Sequence, residues 1–255
     1  MCFCLTLKII FSRRPELKGD IKLRLEILYE DDYMIVCVKP PGVPSQADKT
    51  NDEDMVTIVK NYIFDKQTSN DEPYVAMLHR LDRPVGGVMI FAKDKDTAAK
   101  LSKQQTDGTM VKYYQAVLTG ELPEEYGELS DYMVKDAKTN MSRICKKDTE
   151  GAKKAELTYE LLDEFETDEG ILSYVLIELL TGRHHQIRVQ MANLGCGVWG
   201  DTKYNPKFKK LKNKVKQIAL FSSRIELDHP ATGERMVFKK EPYGKAFDVI
   251  EMDEF

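Results

Sequence analysis

The sequence predicts an α+β fold: a mixed, mostly antiparallel central sheet flanked by helices and loops. Three observations carry this. Short apolar or β-branched runs outnumber helical stretches, they cluster along the chain instead of alternating with helices, and two of them close on a hairpin near the C-terminus. At 255 residues and 42% hydrophobic side chains, the chain can bury a core.

Met34 to Val38 reads as a strand ended by Lys39-Pro40-Pro41-Gly42, because proline donates no ladder hydrogen bond. Asp48 to Asp54 is an acidic loop, and Met55 to Ile63 a short helix. Val85 to Ala92 is apolar between polar borders, the pattern of a buried strand. Asp94 to Gln105 reads as a helix, with Asp94 near its start and Ala98 and Leu101 three apart. Tyr113 to Leu118, Ala155 to Leu162 and Ile171 to Leu180 are predicted strands. Thr181 is then expected to cap a helix running to Gly195, with Ile187, Met191 and Leu194 as its buried stripe. Ile218 to Leu227 and Arg235 to Phe238 form the hairpin. Residues 1–26 read as a leader or edge segment, 27–240 as one folded unit and 241–255 as an acidic tail.

Composition narrows the function. No run approaches the roughly 18 apolar residues of a membrane span; Ser173 and Glu178 interrupt the longest, Ile171 to Leu180. Five cysteines (Cys2, Cys4, Cys37, Cys145 and Cys196) without a C-x-x-C argue against a disulfide framework or zinc ribbon, and for a reduced, cytoplasmic protein. The net charge of −4 is uneven. Lys203 to Lys216 carries +7 and Lys135 to Lys154 carries +4, leaving the remainder at −15. Such segregation suits a face that tracks phosphates.

Four segments could do chemistry. His79-Arg80-Leu81-Asp82-Arg83-Pro84 sets an Asp between arginines just before a strand, where positive neighbours hold it ionised. Thr181-Gly182-Arg183-His184-His185-Gln186-Ile187-Arg188 puts His184 and Arg188 at i, i+4 on the expected helix, beside its buried stripe. Gly200-Asp201 with Tyr204 is a turn, and Lys112-Tyr113-Tyr114 places Tyr114 opposite Tyr113 on a strand. Phosphate-binding, dinucleotide, nucleophile-elbow and H-E-x-x-H motifs are all missing. With four histidines a metal hydrolase is poorly supplied, and adjacent His184 and His185 would point about 100° apart on a helix. An Asp–Arg site remains.

Taken in order, these segments resemble the RluA-type family of RNA pseudouridine synthases. The likeness opens at Ile27-Leu28-Tyr29-Glu30-Asp31-Asp32 and Lys39-Pro40-Pro41-Gly42, and runs through His79-Arg80-Leu81-Asp82 and Lys112-x-Tyr114-x-Ala116. It continues through Thr181-Gly182-Arg183-x-His185-Gln186-Ile187-Arg188 and Gly200-Asp201-x-x-Tyr204, and closes at His229-Pro230-x-Thr232-Gly233.

The resemblance implies a pseudouridine synthase catalytic domain over 27–240, without a cofactor or metal, that isomerises uridine in structured tRNA or rRNA after flipping it out. It implies that Asp82 is catalytic, that Tyr114 packs on the base, that Arg188 pairs with Asp82, and that Arg80 fills the gap the uridine leaves. Arg83, Arg183, His184, His185, Lys207, Lys209, Lys210 and Lys212 are the further expected RNA contacts. No S4-type domain is expected in residues 1–26, and a monomer with no membrane partner is. The other class of reading is a non-catalytic RNA-binding or ribosome-assembly protein on the same fold, which predicts loss of Asp82, Tyr114 or Arg188; all three are present. Three departures stand out: Val85-Gly86-Gly87 where the family has Thr-Ser-Gly, Gln190 for a usual His, and Asn205 for a usual Gly.

Overall fold

A computed structural model describes residues 25–168, 170–210 and 216–250. The expectations for residues 1–24 and for Lys212 lie outside this range.

The strands are β1 (Glu26–Glu30), β2 (Met34–Lys39), β3 (Ala76–Met77), β4 (Gly86–Ala92), β5 (Val111–Thr119), β6 (Tyr126–Asp136), β7 (Met141–Cys145), β8 (Lys153–Thr167), β9 (Gly170–Leu179), β10 (Leu220–Asp228) and β11 (Arg235–Lys239). They join in one eleven-stranded sheet of order β1-β2-β4-β10-β5-β9-β8-β6-β7, with β11 on β10 and β3 on β4. The pairing is antiparallel except between β4 and β10. Three helices complete the described residues: α1 (Met55–Lys66), α2 (Lys95–Asp107) and α3 (Gln186–Leu194).

The uninterrupted apolar run of β4 follows from cover on both faces. Met89 and Phe91 pack with Ile58 and Val59 of α1, whereas Val88 and Ile90 pack with Leu101 of α2. Each of these helices starts on an Asp. The Asp54 side chain accepts from the backbone N–H groups of Val56 and Thr57, and the Asp94 side chain accepts from that of Thr97. Gly108, in the left-handed region at φ 83°, ends α2.

Three expectations need correction. The helix of the Thr181 segment begins at Gln186, not after Thr181. The Thr181 hydroxyl instead accepts from the Glu156 N–H at 2.8 Å and meets Gln186 Oε1 at 2.8 Å, tying the turn to β8. His185, at φ 56°, blocks any earlier helical start. Second, the β6–β7 hairpin was not foreseen; its outward-facing charges hide the strand alternation. Third, residues 241–250 do not trail off as a tail. Tyr243, Ala246, Phe247 and Ile250 pack on Val117 and Phe221, behind the sheet.

The glycines of Val85-Gly86-Gly87 have a steric reason. A Cβ on Gly87, which has φ 128°, would come within 2.7 Å of Ser222 backbone atoms, so only glycine lets β4 and β10 close up here.

Candidate active site

A cleft of about 1350 Å³ runs between the loop before β4, the cleft-facing side of β5 and the start of α3. Asp82, Tyr114, Arg188, His184 and His185 all line it.

The Asp82 loop is clamped through its backbone. Fully buried Lys39 donates through Nζ to the carbonyls of Pro40, Val43 and Arg83, at 3.1, 2.6 and 3.2 Å. Ser45 Oγ donates to the Leu81 carbonyl at 2.7 Å and accepts from the Leu81 N–H at 3.1 Å. The Gly42 N–H donates to the Arg83 carbonyl, and the Val85 N–H closes a turn on the Asp82 carbonyl. Burial pushes the Lys39 ammonium down to about 7, with the Asp82 charge opposing.

The Asp82 side chain, 27% exposed, opens to the cleft. Its Oδ2 accepts from Arg188 Nη1 at 2.7 Å, and His185 Nε2 stands 3.5 Å away. Burial works to raise the Asp82 carboxyl, but His185 and Arg188 outweigh it and hold the group below the usual carboxylate range. Of the two, Arg188 carries the charge near neutral pH, because burial drives His185 itself down to about 3. The expectation that Arg80 and Arg83 hold Asp82 ionised is therefore corrected. Arg83 turns to Asp48, Thr50 and Asp52 of the acidic loop and to the Gly42 carbonyl, and Arg80 projects exposed at the cleft wall.

Arg188 is itself fixed from behind. Nε and Nη2 donate to Asp201 at 2.7 and 2.8 Å, a bidentate pair in which both side chains are buried. Burial opposes the charge on Arg188, but Asp201 and Asp82 more than compensate and raise its pKa. Asp201 is held by the turn that follows it, accepting from the Lys203 and Tyr204 N–H groups. Asn205 anchors that turn through Nδ2, which donates to Thr119 Oγ1 and the Gly197 and Val198 carbonyls. The Asn in the family's glycine position thus has a structural role. So has Gln190, whose Nε2 donates to Asp131 and the Ala155 carbonyl.

The histidines sit ahead of α3, not on it, and their rings stack at 3.7 Å between centroids. His185 Nδ1 is 2.6 Å from the Tyr204 hydroxyl, which accepts from the Ser142 N–H. A neutral ring that accepts the hydroxyl proton at Nδ1 and carries its own proton on Nε2, facing Asp82, satisfies both neighbours. His184 Nδ1 lies 2.8 Å from Ser142 Oγ, and burial lowers its pKa to about 4. Tyr114, 6% exposed, has its phenol pushed up, first by burial and then by the Asp82 charge.

Of the other expected RNA contacts, Arg183 lines the cleft and donates through Nε to the Lys154 carbonyl. Lys207, Lys209 and Lys210 are exposed but away from the cleft wall, where Lys135, Lys203 and Lys216 stand instead. Lys39, Ser45 and the Asp201 pairing were missed by sequence reasoning: the bonds that matter to the site, to Arg83, Leu81 and Arg188, span 44, 36 and 13 residues. No group of three His, Cys, Asp or Glu side chains among the described residues is placed to hold a metal.

A cleft-facing Asp held by a buried Arg beside a tyrosine, in a cleft rimmed by cations, suits an anionic substrate. Residues 33–193 match the RNA pseudouridylate synthase family. The chain belongs to that family, in its RluA-type branch, and is an isomerase of the RNA pseudouridine synthase class. It is 31% identical over 251 residues to tRNA pseudouridine synthase C of Vibrio parahaemolyticus, covering 91% of this chain and 97% of that one. It is 29% identical over 217 residues to the dual-specificity RNA pseudouridine synthase RluA of Haemophilus influenzae, covering 84% and 91%. The solved human RNA pseudouridylate synthase domain containing 1 shares the fold, with a TM-score of 0.68 at 20% identity over 89% of this chain and 86% of that one.

Proposed function

We propose that this chain converts specific uridines of structured tRNA or rRNA to pseudouridine, with Asp82 as the group that reacts at the ribose. The observation that carries this is the Arg188 bridge, which presents an ionised Asp82 to the cleft beside Tyr114. The N1–C1′ bond breaks, the base turns, C5 joins C1′, the C5 hydrogen leaves as a proton, and N1 takes one up. The overall change is an isomerisation that calls for no redox partner. Asp82 serves either as nucleophile at C1′ or as base at C2′; its position in the cleft suits both.

The reacting atoms of a stacked uridine are out of reach, so the base is flipped, at a cost of a few kcal/mol. Stacking on Tyr114 returns about 1–3 kcal/mol. Arg80, exposed and lining the cleft, occupies the space the uridine leaves. Arg183 and the basic blocks follow the backbone, His184 and His185 complete the wall, and Arg83 steadies the loop. The name of the Vibrio relative supports tRNA as a substrate class, and that of the Haemophilus relative supports more than one RNA target. On this reading the enzyme acts as a monomer in the cytoplasm, where the RNA it would modify is found.

The test uses unmodified tRNA and rRNA transcripts tritiated at uridine C5. Tritium release by the purified protein from one pool establishes the activity and names the substrate class. Binding without release from either pool leaves an RNA-binding protein on this fold.

A further inference from the structure

Two lysines are buried among the described residues, and they differ in one respect. Lys39 gives its Nζ to three carbonyls. Lys112, only 6% exposed, has no hydrogen bond or ion pair among the described residues, and it lines the cleft. A largely buried ammonium without a protein partner gives up part of its hydration, and an anion in the cleft can replace it. Burial accordingly works against its charge. The same wall holds a buried polar atom without a partner: His79 is fixed by Nε2 to the Val88 carbonyl at 3.3 Å, and its Nδ1 has none.

Position says which ligand such a cation meets. Lys112 and Tyr114 line the cleft and, with Ala116, are the buried positions at the start of β5, alternating with half-buried residues 111, 113 and 115. Lys112 is thus two residues, about 7 Å of strand, from the tyrosine on the same face. The centre of the site does not supply positive charge of its own: the Arg188 guanidinium is shared by two carboxylates, Asp82 and Asp201. An anionic backbone entering beside Tyr114 therefore needs a separate counter-charge at that depth.

We propose that Lys112 is a buried phosphate seat, which binds an RNA backbone phosphodiester next to the nucleotide that stacks on Tyr114. The seat rests on the function proposed above, since it presumes that a polynucleotide enters the cleft. Its ammonium is partly desolvated in advance and its stem is held by burial, so it makes one contact at a fixed depth, whereas exposed lysines on the rim hold phosphates in many arrangements. Lys112 thereby sets how far the strand enters and which nucleotide reaches Asp82.

The experiment measures binding of an unmodified, fluorescently labelled tRNA stem-loop transcript across a KCl series, for wild type, Lys112→Met and Lys112→Arg. Exposed Lys95→Gln on α2 is the control. Lys112→Met keeps the apolar stem and removes the charge. It should weaken binding about tenfold, one charge-assisted hydrogen bond. It should also reduce the slope of log Kd against log[KCl] by about 0.7, the increment of one single-strand phosphate. Lys112→Arg should keep the slope, and Lys95→Gln should change neither quantity. Should the Met variant not fold, Lys112→Gln takes its place. A neutral, folded variant with wild-type affinity and slope overturns the phosphate seat. Wild-type tritium release on the same RNA, run in parallel, separates that result from failure of the proposed function.

Discussion

Arg188 holds Asp82 by one arm and Asp201 by the other two nitrogens: Nη1 donates to Asp82 at 2.7 Å, and Nε and Nη2 donate to Asp201 at 2.7 and 2.8 Å. Asp201 is completely buried and Asp82 faces the cleft, so the guanidinium transmits a fixed interior charge to an accessible one. Removing it strands a buried carboxylate. Arg188→Met should cost about 3–5 kcal/mol of stability, read as a lower urea midpoint. Arg188→Lys should recover little, because an ammonium cannot serve a bidentate acceptor and a second carboxylate together. A loss in either variant below about 1 kcal/mol would show that the bridge is not structural.

Tyr114 lies beside the Asp82 charge on the cleft face of β5. If the flipped base stacks there, Tyr114→Ala should lower tritium release under single-turnover conditions about 10- to 100-fold, equivalent to about 1–3 kcal/mol. A near-wild-type rate in this variant would place the base elsewhere.

Stability should fall in mild acid. Burial lowers His79 from 6.5 to about 4, so between these values the unfolded chain binds a proton that the folded chain does not. Stability is then full above about pH 6.5, declines as pH falls, and levels off for this group below about 4, with a total effect of about 3 kcal/mol. His184 and His185 act in the same sense. Thermal midpoints across this range should show a shallower decline for His79→Gln than for wild type. Equal slopes would mean that His79 is not held neutral.

Gly87→Ala should destabilise the protein by about 3 kcal/mol, because the added methyl meets the Ser222 backbone within 2.7 Å and φ is 128°. Gly108→Ala, with φ 83° but open space around it, should cost only about 1 kcal/mol. Comparing the two urea midpoints separates contact from backbone strain.

What the sequence makes legible follows from what its residues respond to. β4 shows as an apolar run because both of its faces are covered, and α2 shows because Asp94 and Gly108 mark its ends. The start of α3 was misread because Thr181 has the right chemistry for a cap and uses it on Glu156 instead. β6 and β7 were hidden because their charged, solvent-facing residues interrupt the apolar pattern. Within the site, the nearness of Asp82, Tyr114 and Arg188 was implied by resemblance. Arg83 was misjudged because its partners, Asp48 and Asp52, lie more than thirty residues away in sequence. The clamp that Lys39 and Ser45 place on the Asp82 loop carries no local signal, since Arg83 and Leu81 lie 44 and 36 residues away in sequence.

The central claim is that Asp82 does the chemistry while the rest of the cleft binds. The most direct measurement is tritium release from uridine C5 by wild type and Asp82→Asn on one unmodified transcript, with the affinity of both for that RNA measured alongside. The account predicts release by wild type alone and affinities within about threefold of each other, since Asn keeps the size of the side chain and Arg188 stays paired with Asp201. Release by Asp82→Asn at the wild-type rate would contradict it.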